Sequence, residues 1–169
     1  QTCYKAGIKW VLVEIKMPRE IRKSPRAMEQ VFVTIHAIRN EWSTPADKWW
    51  DGEVPMWGAF EIASFGGDIH MFMKIPRKWR NIVEAALYAQ YPDVELEEVK
   101  DDYVNRLPVT YDGLAQKGYE LFGNELRLDQ PDPYPIMTYA DFENPDEERT
   151  LDTISYLLEV ISKLKLQEA

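Results

Sequence analysis

Phe65-Gly66-Gly67-Asp68-Ile69-His70-Met71-Phe72-Met73-Lys74-Ile75-Pro76-Arg77 contains a turn, a strand and the start of a helix in thirteen consecutive residues. Two adjacent glycines accept the positive φ angles that a two-residue hairpin turn requires. Ile69, Met71, Met73 and Ile75 then recur at every second position, the period of a strand with one buried face. Upstream of the turn, Met56 to Phe65 reads as the partner strand. Downstream, Pro76 leads into Trp79, Ile82, Val83, Ala86 and Leu87, one apolar stripe at helical spacing that Tyr91-Pro92 stops.

The same junction occurs earlier in the chain. Lys16-Met17-Pro18-Arg19 closes a first strand pattern, with Val11, Val13, Ile15 and Met17 on one side and Glu14 and Lys16 on the other. Ser24 then offers an N-cap oxygen and Pro25 a preset first turn, and Met28, Val31, Phe32, Ile35 and Ile38 follow at helical spacing to about Asn40. Val94 to Val99 supplies a fourth strand. The order β-α-β-β-α-β, with the Lys-apolar-Pro-Arg junction repeated, predicts an α+β fold: a ferredoxin-like sandwich over residues 9–101. Residues 102–117 lose periodicity and read as a connector. Glu120 to Leu128 and Ile136 to Phe142 read as two further strands, split by Gln130-Pro131-Asp132-Pro133. A last helix follows Asn144-Pro145, with Asp146, Glu147 and Glu148 at its positive end and Leu151, Ile154, Leu157, Leu158, Ile161 and Leu164 along it. Residues 118–169 are thus expected to form a β-β-α extension that opens a second module; alternatively, the last helix covers the sheet face carrying Trp10, Leu12 and Phe72.

Composition narrows the classes of function. A chain of 169 residues that is 45% hydrophobic buries a sizeable core. Its single cysteine, Cys3, excludes an intramolecular disulfide and points to a reducing compartment. No run approaches the roughly 20 apolar residues that cross a bilayer, so any membrane attachment is expected through an upstream segment. The start at Gln1, without an initiator Met, is read as a processed product or a piece of a longer chain. The net charge of −9 divides unevenly, with a balance of +5 over residues 1–40 and −14 over residues 41–169. An acidic majority disfavours nonspecific phosphate-backbone binding.

Two groups of residues stand out as contact candidates. Trp42, Trp49, Trp50 and Trp57 fall within sixteen residues, and tryptophan is enriched at binding hot spots because it buries a large rigid surface while keeping one polar handle. The competing reading folds these rings back as a lid over a helix edge, which would strand the interleaved Asp47, Lys48, Asp51 and Glu53. Basic residues gather at both helix starts: Arg19, Arg22, Lys23 and Arg26 at the first, with Lys16 before them; Arg77, Lys78 and Arg80 at the second, with Lys74 before them. Either group could hold an anion at a helix N-terminus, but solvated or domain-docking charge is the favoured reading, since basic runs alone are weak signals. First and third strands of a split β-α-β sandwich run oppositely, so the two groups should not join.

Other chemistry finds little support. His36, His70 and Cys3 lack ligand spacing for zinc. Asp93, Glu95, Glu97, Glu98, Asp101 and Asp102 lack the glycine turn of a calcium loop and read as a charged edge that deters strand pairing. No phosphate loop or nucleophile-base set occurs, so neither a cofactor nor a catalytic residue is nominated and a non-enzymatic role is expected. The third strand matches an RNA-recognition motif poorly, with only Phe72 and His70 resembling a stacking platform.

Several longer strings carry a resemblance. Glu14-Ile15-Lys16-Met17-Pro18-Arg19-Glu20, Lys23-Ser24-Pro25-Arg26-Ala27-Met28-Glu29-Gln30, Phe60-Glu61-Ile62, Gly66-Gly67-Asp68-Ile69-His70-Met71-Phe72, Tyr88-Ala89-Gln90-Tyr91-Pro92-Asp93 and Pro133-Tyr134-Pro135-Ile136-Met137-Thr138-Tyr139 resemble a domain of unknown function in large proteins of candidate-phylum (Patescibacteria-type) bacteria. That domain lies between an N-terminal membrane segment and a C-terminal ATPase similar to the coupling proteins of type IV secretion and conjugation. The resemblance spans Val11 to Leu158 and implies a cytoplasmic accessory module of a membrane-associated, ATP-driven transfer machine. It implies no catalytic residue. The expected partners are another protein or a downstream ATPase domain, with self-association as a further expectation, and a nucleic-acid-binding module guiding a transferred strand is the alternative.

Overall fold

The computed structural model describes residues 6–18, 25–37, 56–125, 127, 129–130, 134 and 154–164. The chain divides into two compact units, Gln1–Lys100 with Ser155–Ala169, and Asp101–Ile154.

In the first unit, β1 (Trp10–Lys16), α1 (Pro25–Ala37), β2 (Ala59–Phe65), β3 (Asp68–Pro76), a 3-10 turn (Arg77–Trp79), α2 (Arg80–Gln90) and β4 (Glu95–Val99) follow in sequence. The strands form one four-stranded sheet in the order β2-β3-β1-β4. Every pairing is antiparallel. The fold is therefore α+β, compatible with the split β-α-β arrangement expected from the sequence. Gly66 and Gly67 take φ angles of 65° and 97° and close the β2–β3 hairpin, where the Ser64 hydroxyl accepts from Gly67 N at 3.1 Å.

Strand register explains the core. Val11 faces Ile75 and Val13 faces Met73 across β1–β3, Ile15 faces Leu96 across β1–β4, and Phe60 faces Met73 across β2–β3. Opposed residues of an antiparallel ladder share a face. Val11, Val13, Ile15, Met73 and Ile75 accordingly form one apolar sheet face that joins Val31 of α1 and Val83 and Leu87 of α2 in a buried cluster. Val83 and Leu87 are four residues apart, one helical turn, so one stripe of α2 meets the sheet while α1 packs beside it. Each of the completely buried side chains contributes about 1.5–3 kcal/mol of burial. Tyr91 and Val94 close the cluster beyond α2, and burial pushes the Tyr91 phenol above its ordinary range.

The expected Ser24 cap, and the end of the first helix beyond Ala37, lie outside the described residues. The strand expected from Met56 begins at Ala59. The last helix, α4 (Ser155–Ser162), belongs to the first unit and contacts β3.

The second unit differs from its sequence reading. Residues 102–117, read as a connector, hold a 3-10 turn, Tyr103–Arg106, and α3, Tyr111–Gln116. The side chains that start them act locally: Asp102 Oδ1 accepts from Val104 N at 3.1 Å, and Thr110 Oγ1 accepts from Gly113 N at 3.2 Å. Such caps need no apolar periodicity, which is why a periodicity argument passes over them. The strand expected from Glu120 is absent over residues 120–125. A strand needs a ladder partner, and none pairs with these residues among the described part of the chain. Leu121 and Phe122 are exposed instead. The expected strand at Ile136 to Phe142 lies outside the described residues.

Candidate interaction surfaces

Of the four clustered tryptophans, Trp57 is described, while Trp42, Trp49 and Trp50 lie outside the described residues. Trp57 is 52% exposed, and its ring lies 4.4 Å from that of Trp10 with a tilt of 41°. Trp10 opposes Pro76 in the ladder, which places it on the sheet face opposite the core.

The basic residues at the second helix start are engaged by glutamates. Arg77 Nη2 donates to Glu98 Oε1 at 2.5 Å. Arg80 Nε donates to Glu84 Oε1 at 2.6 Å, and its Nη1 donates to the other Glu98 oxygen. The hydrogen bond from Arg77 holds the Glu98 carboxyl below its usual range, while the Glu84 hydrogen bond raises Arg80. Lys78 sits 5.9 Å from the ring centroid of Trp79. At the first helix start, Arg26 is exposed, and Arg19, Arg22 and Lys23 lie outside the described residues. Because β1 and β3 are antiparallel, α1 and α2 begin at opposite ends of the sheet.

A hollow of about 570 Å³ opens beside the start of the second helical run, lined by Gly7, Ile8, Lys9, Met56, Pro76, Arg77 and Lys78. Arg77 N donates to the Lys9 carbonyl at 2.8 Å and fixes one wall. The lining joins the apolar Ile8, Met56 and Pro76 to the basic Lys9, Arg77 and Lys78, of which Arg77 is already paired with Glu98.

The sheet face away from α1 and α2 holds a polar pair that sequence reasoning missed. His70 Nδ1 lies 2.6 Å from Glu14 Oε1, and the imidazole stacks on Phe72 at 5.9 Å and 10°. Lys16 stands 3.8 Å from Glu14 and 2.5 Å from Glu97. Glu97 directly opposes Glu14 in the ladder, so Lys16 neutralises two carboxylates brought side by side. Its hydrogen bond holds Glu97 below the usual carboxylate range and raises the Lys16 ammonium in turn. The period-two reading placed Glu14 and Lys16 on one face, and the missing information was the β1–β3 register. Phe72 is 5% exposed, which closes its ring to a stacking base. Among the described residues, no group of three His, Cys, Asp or Glu is arranged to hold a metal ion. No described helix is long and apolar enough to cross a membrane.

Two apolar surfaces remain open. In α4, Ser-Tyr-Leu-Leu-Glu-Val-Ile-Ser from Ser155 to Ser162, Leu158 and Ile161 are half-buried. Tyr156, Leu157 and Val160 are exposed, Tyr156 to 77%. The second surface runs along β2, where Phe60 and Ile62 are exposed beside Phe32 of α1.

Comparison with protein-family models, with curated proteins and with solved structures yields no match to this chain.

Proposed function

We propose that the chain is a non-enzymatic interaction module whose first unit is a ferredoxin-like sandwich and whose α4 presents a contact helix to another protein. The observation that carries this reading is an apolar surface of α4 wider than the stripe it buries. Leu158 and Ile161 are half-buried, while Tyr156, Leu157 and Val160 stand in solvent. Glu159 and Lys163 pair on the outer side, as the solvent side of an amphipathic helix does, but the apolar surface extends past the half-buried stripe along one flank, as a groove-binding or helix-pairing surface requires. Trp57, exposed against Trp10, is a second contact candidate from the sequence-based set.

The partner we propose is the ATPase-like domain that the family resemblance sets downstream, within a cytoplasmic, membrane-associated transfer machine anchored through an upstream segment. This assignment rests on the resemblance alone. Titration of the chain with a recombinant ATPase domain from its own gene neighbourhood, followed by calorimetry, tests it. Saturable binding that the double change Leu157→Glu and Val160→Glu weakens at least about tenfold, the equivalent of 1.4 kcal/mol, is the expected result. Binding unaffected by those changes removes α4 from the contact. The alternative of a strand-guiding nucleic-acid module runs against the acidic charge and the glutamate-bound Arg77 and Arg80. Saturable, salt-sensitive binding of single-stranded DNA would favour it instead.

A further inference from the structure

The two edges of the sheet are built in opposite ways. β4 carries Glu95, Glu97 and Glu98 within five residues, and charge along an edge deters pairing with another chain. β2, the other edge, reads Ala-Phe-Glu-Ile-Ala-Ser-Phe from Ala59 to Phe65. It contains one charged residue and neither lysine nor proline. Its ladder to β3 is unbroken from Ala59 to Phe65, so no bulge turns the edge away. Among the described residues, no strand pairs with its outer side.

The side chains along this edge are apolar and open on the face that α1 and α2 pack against. Phe60 and Ile62 are 43% and 44% exposed. Met71, the register partner of Ile62, is also exposed, as is Phe32, whose ring meets Phe60 edge-on at 5.2 Å. A backbone edge of seven residues thus runs beside a continuous apolar strip.

We propose that β2 pairs antiparallel with β2 of a second copy of this chain about a twofold axis through Ile62, extending two sheets into one. The strand sequence is self-complementary in this register. Ile62 meets its own counterpart, Phe60 meets Ser64, Ala59 meets Phe65, and Glu61 meets Ala63. All seven residues are paired and no like charges are opposed. Moving the axis to Glu61 sets two carboxylates opposite each other, which is destabilising. A one-residue slip turns one strand over and sends Phe60 and Ile62 to opposite faces from their counterparts. The Ile62-centred register alone combines full pairing, separated charges and a continuous apolar strip. The inference uses a different surface from the α4 reading and stands or falls without it.

Sedimentation equilibrium of the full 169-residue chain tests the proposal. Physiological salt is required because each copy carries a net charge of −9 and the screening length there is about 8 Å. The expected mass is that of a dimer at micromolar concentration. Ile62→Lys, at an exposed position, converts it to monomer with an unchanged circular dichroism spectrum, while Leu157→Glu leaves the dimer intact. In a Cys3→Ser background, Ile62→Cys oxidises to an interchain disulfide, whereas Ile82→Cys, exposed on α2, does not. A monomeric wild type, a dimer that persists in Ile62→Lys, or equal cross-linking at positions 62 and 82 overturns the strand pairing. Dissociation by Leu157→Glu but not by Ile62→Lys also overturns it, and assigns self-association to α4.

Discussion

Glu14 and His70, 56 residues apart in sequence, meet at 2.6 Å across the β1–β3 ladder. The carboxylate accepts from Nδ1, and the imidazole lies flat on Phe72 with Phe65 tilted against it at 5.2 Å. His70→Phe keeps an aromatic ring in the stack but removes the hydrogen bond, leaving Glu14 to Lys16. The expected cost is about 1 kcal/mol. The double variant Glu14→Leu with His70→Phe should recover part of that loss, because the part-buried Glu14 oxygen that loses its histidine donor is removed with it. Urea denaturation of the two single variants and the double variant measures the coupling.

Glu98 ties Arg77 and Arg80 to the edge strand, and its pKa is depressed first by the Arg77 hydrogen bond. A carboxyl with a lowered folded-state pKa contributes stability above the ordinary glutamate range, and that contribution is lost as pH falls through the lowered value. Glu98→Gln should therefore be less stable than wild type at neutral pH, and the two unfolding midpoints should converge in acid. Thermal unfolding across that pH range supplies the check.

Gly67 holds a φ of 97°, and a Cβ there would approach the carbonyl oxygens of Ser162 and Leu164 to 2.9 and 3.0 Å. Gly67→Ala meets both a left-handed backbone penalty, about 1–2 kcal/mol, and a collision with backbone that must shift. The Ser64 hydroxyl also reaches the Ile161 carbonyl, at 3.4 Å. Loosening should therefore concentrate where the hairpin meets the end of α4. Faster amide exchange in residues 155–164, with β1 unchanged, is the expected signature.

Met73 is fully buried and opposes both Val13 and Phe60. Met73→Ala should cost about 2–5 kcal/mol through lost burial and the cavity left behind. Equilibrium denaturation is the measurement. Because Ile62 lies outside the buried cluster, Ile62→Lys should leave stability nearly unchanged, which separates folding from the strand pairing proposed at β2.

Sequence alone determined the local elements of the first unit. Gly66-Gly67, the alternation from Ile69 to Ile75 and the spacing of Val83 and Leu87 each follow from backbone geometry and a one-sided core, whose periods of two and 3.6 residues are written directly in the chain. Tertiary structure decided what register and packing control. No spacing rule reveals that Glu14 meets His70, that Glu98 gathers Arg77 and Arg80, or that α4 ends against the hairpin, because each is a meeting of residues distant in sequence. The capped turns after Lys100 escaped for the opposite reason: Asp102 and Thr110 stabilise them through single hydrogen bonds, which leave no hydrophobic period. Adjacent strands β2 and β3 could be paired from the turn between them. The different chemistry of edges β2 and β4 became visible only when the order β2-β3-β1-β4 placed one apolar and one acidic strand at the two margins of the sheet.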